Sequence, residues 1–283
     1  MRSSEASLQW DVLVKRRPGL THGLPPGKES LMWVANSATL ISGKRDAVLV
    51  DTFLTIDQSN DLADWVAASE KNLTTIYITH AHGDHFFGLK IILDRFPHAN
   101  AVATPEVVKA MSRQTAPDYL ESFWKSRFPG QIPEPIVSPE EVHANEIDLE
   151  GHTLVLVRLG HTDTDDTTCL HVPTIGLVVA GDAVYNGIHP YQGETNRQNR
   201  PQWIDALDAI DALNPRAVIA GHKVPGNDDS PKNVDETRKY LRDFVRLDEQ
   251  TTSARELYDK MLERYPDRAN PGSLWGAAVA AKP

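Results

Sequence analysis

The sequence has a single cysteine, Cys169, among 283 residues. That excludes an intrachain disulfide and any zinc site built on paired cysteines. Long apolar runs are also missing. No stretch approaches the roughly 18 residues of a membrane helix, and residues 1–12 lack an apolar core of signal-peptide length. The expectation is a soluble, cytoplasmic protein. Positive charge is in deficit, with 29 Lys plus Arg against 39 Asp plus Glu and a formal net charge of -10. Chains that grip a phosphate backbone show the opposite balance, which disfavours nucleic acid as a partner. No G-x-S-x-G nucleophile elbow occurs. Residues 23–28 imitate a phosphate loop but are one residue short, with Glu29 where Ser or Thr belongs. Internal repeats, low-complexity tracts and a clear linker are absent.

What remains is an ordinary globular composition, 40% hydrophobic and 24% charged. A chain this long buries roughly three quarters of its unfolded surface and needs no covalent staple. Residues 17–28, rich in Pro and Gly, read as an irregular loop after a short strand. Residues 31–41 and 47–50 read as strands joined by a turn at 43–46. Residues 58–69 have helical spacing, with Leu62, Trp65 and Val66 on one face. A strand at 75–78 precedes a polar cluster at 80–85, then helices to about 95 and over 105–113. Residues 116–142 hold Tyr119, Phe123, Trp124 and Phe128, then Pro129, Pro133, Pro135 and Pro139, which suggests a helical insertion and an extended connection. Strands are expected at 154–159, 168–172, 176–180 and 217–220. A helix is expected at 202–213, and closing amphipathic helices at 234–248 and 253–264. Strand pairs followed by strand–helix alternation favour one α/β domain over residues 1–283. Within it, 116–142 is a candidate lid and 231–283 a C-terminal helical extension.

Five apolar runs end in a metal-ligand side chain: 47–50 before Asp51, 76–79 before His80, 154–160 before His161, 177–181 before Asp182 and 218–221 before His222. Glycine precedes three of them, permitting a sharp exit and close backbone approach. The densest cluster is His80-Ala81-His82-Gly83-Asp84-His85. In an extended segment His80 and His82 point the same way, and a turn at Gly83 redirects Asp84 and His85. Imidazole suits Zn, Fe, Ni and Cu, and carboxylate adds charge and oxygen ligation.

On these residues the sequence resembles the metallo-β-lactamase fold superfamily. The resemblance runs through His80, His82, Asp84 and His85, then Gly160-His161-Thr162, Gly181-Asp182 and Gly221-His222, with Asp51 at the family's early acidic position. It covers about residues 31–222. It implies a four-layer αββα sandwich with a metal site at one edge. By family position, His80, His82 and His161 hold one divalent metal, Asp84, His85 and His222 hold the second, and Asp182 bridges them. Asp51 supports the ligands from behind. Zinc is the first expectation, with Mn2+ or Fe2+ as alternatives.

The implied activity is that of a dinuclear metal-dependent hydrolase, in which a bridging hydroxide attacks a small ester or amide and Asp84 orients it and carries its proton onward. Many zinc β-lactamases place Cys or Ser at position 182, whereas lactonases and glyoxalase II-type thioesterases place Asp. A lactone is therefore the first substrate guess. Tyr185, three residues after Asp182, matches a Tyr of N-acyl-homoserine lactone lactonases and is a candidate oxyanion donor. The alternatives are a glyoxalase II-like thioester hydrolase and a persulfide dioxygenase with one iron on His80, His161 and Asp182. Phe86 and His189 are candidate pocket-lining residues. His22, His98, His143, His152 and His171 have no ligand context, and Cys169 reads as a core residue. The expected partner is a small molecule, with no nucleic acid and no membrane. A homodimer through the insertion or the closing helices stays open.

Overall fold

The computed structural model describes residues 8–16 and 33–282. The loop expected at 17–28, the phosphate-loop mimic, His22 and the first two residues of the 31–41 strand lie outside the described residues.

Two sheets carry the chain. The strands of the first are β1 (Gln9–Lys15), β2 (Asn36–Ser42), β3 (Asp46–Val50), β4 (Asn72–Tyr77), β5 (Asn100–Ala103) and β6 (Glu140–Glu141). The second holds β7 (Glu146–Leu149), β8 (His152–Gly160), β9 (Thr167–Val172) and β10 (Leu177–Val179). Then β11 (Tyr185–Asn186) returns to the first sheet, β12 (Ala217–Ile219) joins the second, and β13 (His222–Lys223) joins the first. The first sheet has the order β11-β13-β2-β3-β4-β5-β6, with β1 also on β2. The second is β12-β10-β9-β8-β7. In the first, β2 and β3 form the expected hairpin, with Leu40 opposite Leu49, and β3 to β6 run parallel. Parallel neighbours need crossovers. These are α1 (Ile56–Ala68), then α2 (Gly83–Phe86) with α3 (Leu89–Arg95), then α4 (Pro105–Gln114) with α5 (Pro117–Tyr119). Helix α6 (Arg200–Ala212) lies between β11 and β12, and α7 (Lys232–Gln250), α8 (Ala254–Arg264) and α9 (Pro271–Ala281) close the chain.

The layers follow from which side chains alternate. Val48, Val50 and Tyr77 point between the sheets and meet Leu154, Leu156, Leu170, Val172 and Ile219. Their neighbours Ala47, Leu49 and Ile76 point outward onto Leu62 and Val66 of α1, Ile92 of α3 and Met111 of α4. On the far side Cys169, Val178 and Val218 pack against Trp203 and Leu207 of α6 and Leu241 of α7. Strands covered on both faces read as continuous apolar runs, which is what residues 47–50 and 76–78 do. The arrangement is the αββα sandwich. No helix among the described residues is long and apolar enough to cross a membrane.

Residues 116–142 are rooted in this core. A π-helical turn, Leu120–Lys125, follows α5. Trp124, Phe128 and Ile132 are buried with the first outer layer. Trp33 stands edge-on to Trp124 at 6.0 Å and to Phe128 at 5.0 Å. Helix α9 is not legible in the sequence; its Leu274, Ala277 and Ala278 pack with Tyr240, Phe244, Leu257 and Met261 of α7 and α8.

Candidate metal centre

The strand ends meet at one edge of the sandwich. Leaving β3, the chain turns through Asp51 in the left-handed region, at φ 61°. Leaving β4, it presents Thr79 and His80, then starts α2 at Gly83. Gly181 has φ +52°, and a Cβ there would stand 2.6 Å from Thr79 Oγ1. A Cβ on Gly221 would stand 2.2 Å from Asp182 Oδ1. Both glycines are therefore required by close approach at the site itself.

Asp51 organises one side. Its Oδ1 accepts the backbone N–H of Thr79 at 2.8 Å, and its Oδ2 accepts the Thr79 hydroxyl at 2.8 Å. With that hydroxyl committed, His80 Nδ1 donates to Thr79 Oγ1 over 3.0 Å. His85 Nδ1 donates to Asp51 Oδ2 over 3.1 Å. His222 Nδ1 donates to the Ala35 carbonyl over 3.0 Å. His161 Nδ1 lies 2.6 Å from Asp165 Oδ1. Four imidazoles are thus held from behind through Nδ1, which fixes the tautomer and leaves each Nε2 facing inward.

Asp182 receives three of them. Its Oδ2 is 2.9 Å from His222 Nε2 and 3.8 Å from His80 Nε2, and its Oδ1 is 3.3 Å from His85 Nε2. Asp84 Oδ2 accepts Asn36 Nδ2 at 3.0 Å and stands 3.8 Å from His222 Nε2. His82 turns the other way, with Nδ1 3.0 Å from Asp163 Oδ2 and Nε2 3.4 Å from Glu194 Oε1. Among the described residues, three groups have ligand atoms within 4.8 Å of one another: His80, His82, Asp163 and Asp182; Asp51, His80 and His85; and Asp84, His85 and His222.

The electrostatics ask for positive charge at the centre. Burial opposes charge on Asp182, yet His222, His85 and His80 hold its carboxyl well below the usual range. Burial also disfavours a charged His85, but Asp182 and Asp51 raise it well above its ordinary value. His222 is raised in the same way, against burial, chiefly by Asp182. His80 is lowered by burial and then by His85.

The residues fit divalent metals. The buried atoms His80 Nε2, His82 Nε2, His161 Nε2, Asp163 Oδ2 and Asp182 Oδ1 have no hydrogen-bond partner. Each such atom costs about 1–3 kcal/mol if left unsatisfied. Five together at one strand-end rim form a nitrogen and oxygen set suited to first-row cations, which such an ion would satisfy.

All seven expected ligands are buried. His80, His82, Asp182, Asp84, His85 and His222 come together in these groups, and Asp51 lies behind them, bonded to His85 directly and to His80 through Thr79. His161 points an unpartnered Nε2 inward but stands outside the three groups. Two residues of the cluster, Asp163 and Glu194, escape the sequence reading. A signal for Asp163 exists, since it lies two positions after a ligand histidine, whereas Glu194 is brought to His82 by the fold of a long loop.

Three expectations need correction. Phe86 is fully buried in the outer layer, edge-on to Phe87 at 4.9 Å, and offers no wall to a substrate. His189 is fully buried too, with Nδ1 2.9 Å from the Tyr240 hydroxyl of α7. It seats the C-terminal helices instead of lining the pocket. Tyr185 is also fully buried, and its hydroxyl donates to Asp182 Oδ2 over 3.0 Å. Burial, reinforced by Asp182, raises this phenol well above its ordinary value. Its proton is therefore committed to a ligand and not free for a substrate oxygen. A second aromatic ring beside the cluster is Tyr191, edge-on to His82 at 5.9 Å.

Comparison with known proteins agrees with this fold. Residues 31–222 match the family described as the Metallo-beta-lactamase superfamily. A metallo-beta-lactamase family protein from Thermus thermophilus superposes with a TM-score of 0.66 at 18% identity, covering 95% of this chain and 91% of that one. A metallo-beta-lactamase from Pontibacter korlensis superposes with a TM-score of 0.61 at 16% identity, covering 83% and 99%. At these identities the likeness is one of fold. The hydroxyacylglutathione hydrolase of Francisella tularensis subsp. novicida (strain U112) is 34% identical over 71 residues, 25% of this chain and 27% of that enzyme.

Proposed function

From the premise that this chain belongs to the metallo-beta-lactamase superfamily, we propose that it is a metal-dependent hydrolase opening a small ester, with a lactone as the first substrate. The observation that carries this reading is the set of buried, unpartnered imidazole and carboxylate atoms at the strand-end rim. His80, His82, Asp182 and either His161 or Asp163 would hold one ion; Asp84, His85 and His222 would hold a second, with Asp182 reaching both. Such ions, when bound, bring the pKa of water towards about 7 and polarise an acyl oxygen.

The chain's own residues do the rest. Burial works against an ionised Asp84, but His85 and His222 keep its carboxyl below the ordinary range. Asn36 Nδ2 fixes one of its oxygens at 3.0 Å. Asp84 can then accept a proton at a fixed place and return it to the departing alkoxide, which in a lactone stays tethered nearby. Tyr185 keeps Asp182 oriented through its hydroxyl.

Thioester hydrolysis is the second reading, supported by the short match to hydroxyacylglutathione hydrolase. The test is metal analysis of anaerobically purified protein, followed by a hydrolysis screen of lactones, thioesters, aryl esters and a β-lactam side by side. Two divalent ions per chain with fastest turnover of a lactone is the expected result. A thioester preference moves the reading to its alternative. One iron per chain with oxygen consumption on a persulfide, or no hydrolysis at all, overturns it.

A further inference from the structure

Asp163 follows His161 by two positions, in the turn between β8 and β9, and its side chain is fully buried. A buried carboxylate with one oxygen unsatisfied is destabilising unless something positive is put against it. Its Oδ1 accepts the Thr162 hydroxyl at 2.8 Å, which sets the plane of the group. Its Oδ2 accepts no hydrogen bond. That atom lies 3.0 Å from His82 Nδ1 and 4.0 Å from His80 Nε2. Together with a ligand atom of Asp182, the ligand atoms of these residues fall within 4.8 Å of one another. One oxygen fixed from behind and the other bare among ligand nitrogens is how a metal-binding carboxylate is held.

We propose that Asp163 is itself a ligand, donating Oδ2 to the ion shared with His80, His82 and Asp182. The inference rests on the metal-dependent reading above and refines it. His161 is then an adjunct to this position, its Nδ1 tied to Asp165 and its Nε2 inward. Exchanging a set rich in imidazole for one with two carboxylates hardens the site. Oxygen donors suit Mn2+ better than nitrogen donors do, so the first position tolerates Mn2+ beside Zn2+. The rival account is a plain ion pair between Asp163 and His82.

The test compares the wild type, Asp163→Asn and His161→Ala by titrating metal-free protein with Mn2+, Zn2+ and Co2+, one metal at a time. Affinity, stoichiometry and the visible band of the Co2+-loaded protein are the readouts. Asparagine keeps the shape and the Thr162 hydrogen bond, and circular dichroism checks that each variant is folded. The expected result for Asp163→Asn is a loss of about 10–100-fold in Mn2+ affinity at one of two positions, a smaller loss for Zn2+, and a changed Co2+ band. His161→Ala should move these readouts less. If Asp163→Asn binds two ions as the wild type does with the same Co2+ band, while His161→Ala does not, the proposal is overturned and the hydrolase reading stands. If the wild type binds no metal, both fall.

Discussion

The hydroxyl of Tyr185 donates to Oδ2 of Asp182 over 3.0 Å, and the same oxygen is 2.9 Å from Nε2 of His222. A phenol on β11 therefore steers the carboxylate around which three imidazoles gather. Tyr185→Phe removes that bond and leaves the ring in place. Neutral hydrogen bonds contribute about 1 kcal/mol, and those to charged groups somewhat more. Turnover of the best substrate should fall roughly ten-fold with metal stoichiometry unchanged. Steady-state kinetics beside elemental analysis checks this, and unaltered kcat would remove Tyr185 from the site.

Asp51→Asn should weaken metal binding about 10–100-fold, because partners behind the ligands orient them. Asparagine tolerates the left-handed backbone that position 51 requires, so the change isolates the carboxylate. Competition titration with a chromophoric chelator measures the affinity. Wild-type affinity would mean that His80 and His85 do not depend on Asp51 for their orientation.

Removing metal should leave the cluster's charges facing one another. Ligands that bind only the folded state stabilise it by about 2.7 kcal/mol at 100 times Kd. Thermal unfolding with a chelator should begin several degrees lower than with excess Zn2+, and re-addition should restore it. Coincident curves would count against occupied ligand groups.

Phe86→Ala should act on stability and not on substrate selection. Truncating a buried Phe costs about 3–5 kcal/mol. The denaturant midpoint should fall sharply, with KM of the remaining folded enzyme little changed. A raised KM at undiminished stability would return Phe86 to the pocket.

Acid should loosen the C-terminal helices around Asp243. Burial raises the Asp243 carboxyl, but hydrogen bonds from Arg246, Tyr265 and Arg264 outweigh it and bring the group down to about 2. A folded pKa below the unfolded value of about 3.9 gives stability that is present above pH of roughly 4 and lost as pH falls towards about 2. Wild type should therefore lose more helical signal than Asp243→Asn between about pH 4 and pH 2. Parallel acid profiles for the two proteins would contradict the assignment.

The legible parts of the sequence are those set by local pattern. Residues 47–50 and 76–78 announce doubly covered strands, and Pro201 and Pro105 fall in the first turns of α6 and α4. The six converging ligands are legible because His80, Asp182 and His222 each follow an apolar run and His82, Asp84 and His85 crowd into the same short cluster. Helix α9 is not, since its apolar and small residues show no face periodicity. Phe86 and His189 mislead for one reason: proximity in sequence to ligands says nothing about which way a side chain leaves the backbone. Phe86 ends α2 pointing into the outer layer, and His189 turns towards α7. Glu194 reaches His82 only through folding of the segment after β11, which has no periodicity to read.

That segment is fastened at a distance. Arg197 and Arg200 both bind the Asp248 carboxylate at 3.0 Å, and Lys282 joins it at 2.8 Å. Arg200 and Asp248 are buried, so removing Asp248 leaves Arg200 as a buried, uncompensated charge. The stretch bearing Tyr191 and Glu194 is thereby moored to α7 and to the residue after α9. Damage remote from the chemistry, such as loss of Lys282, should slacken this stretch and its Glu194–His82 contact while every ligand stays intact.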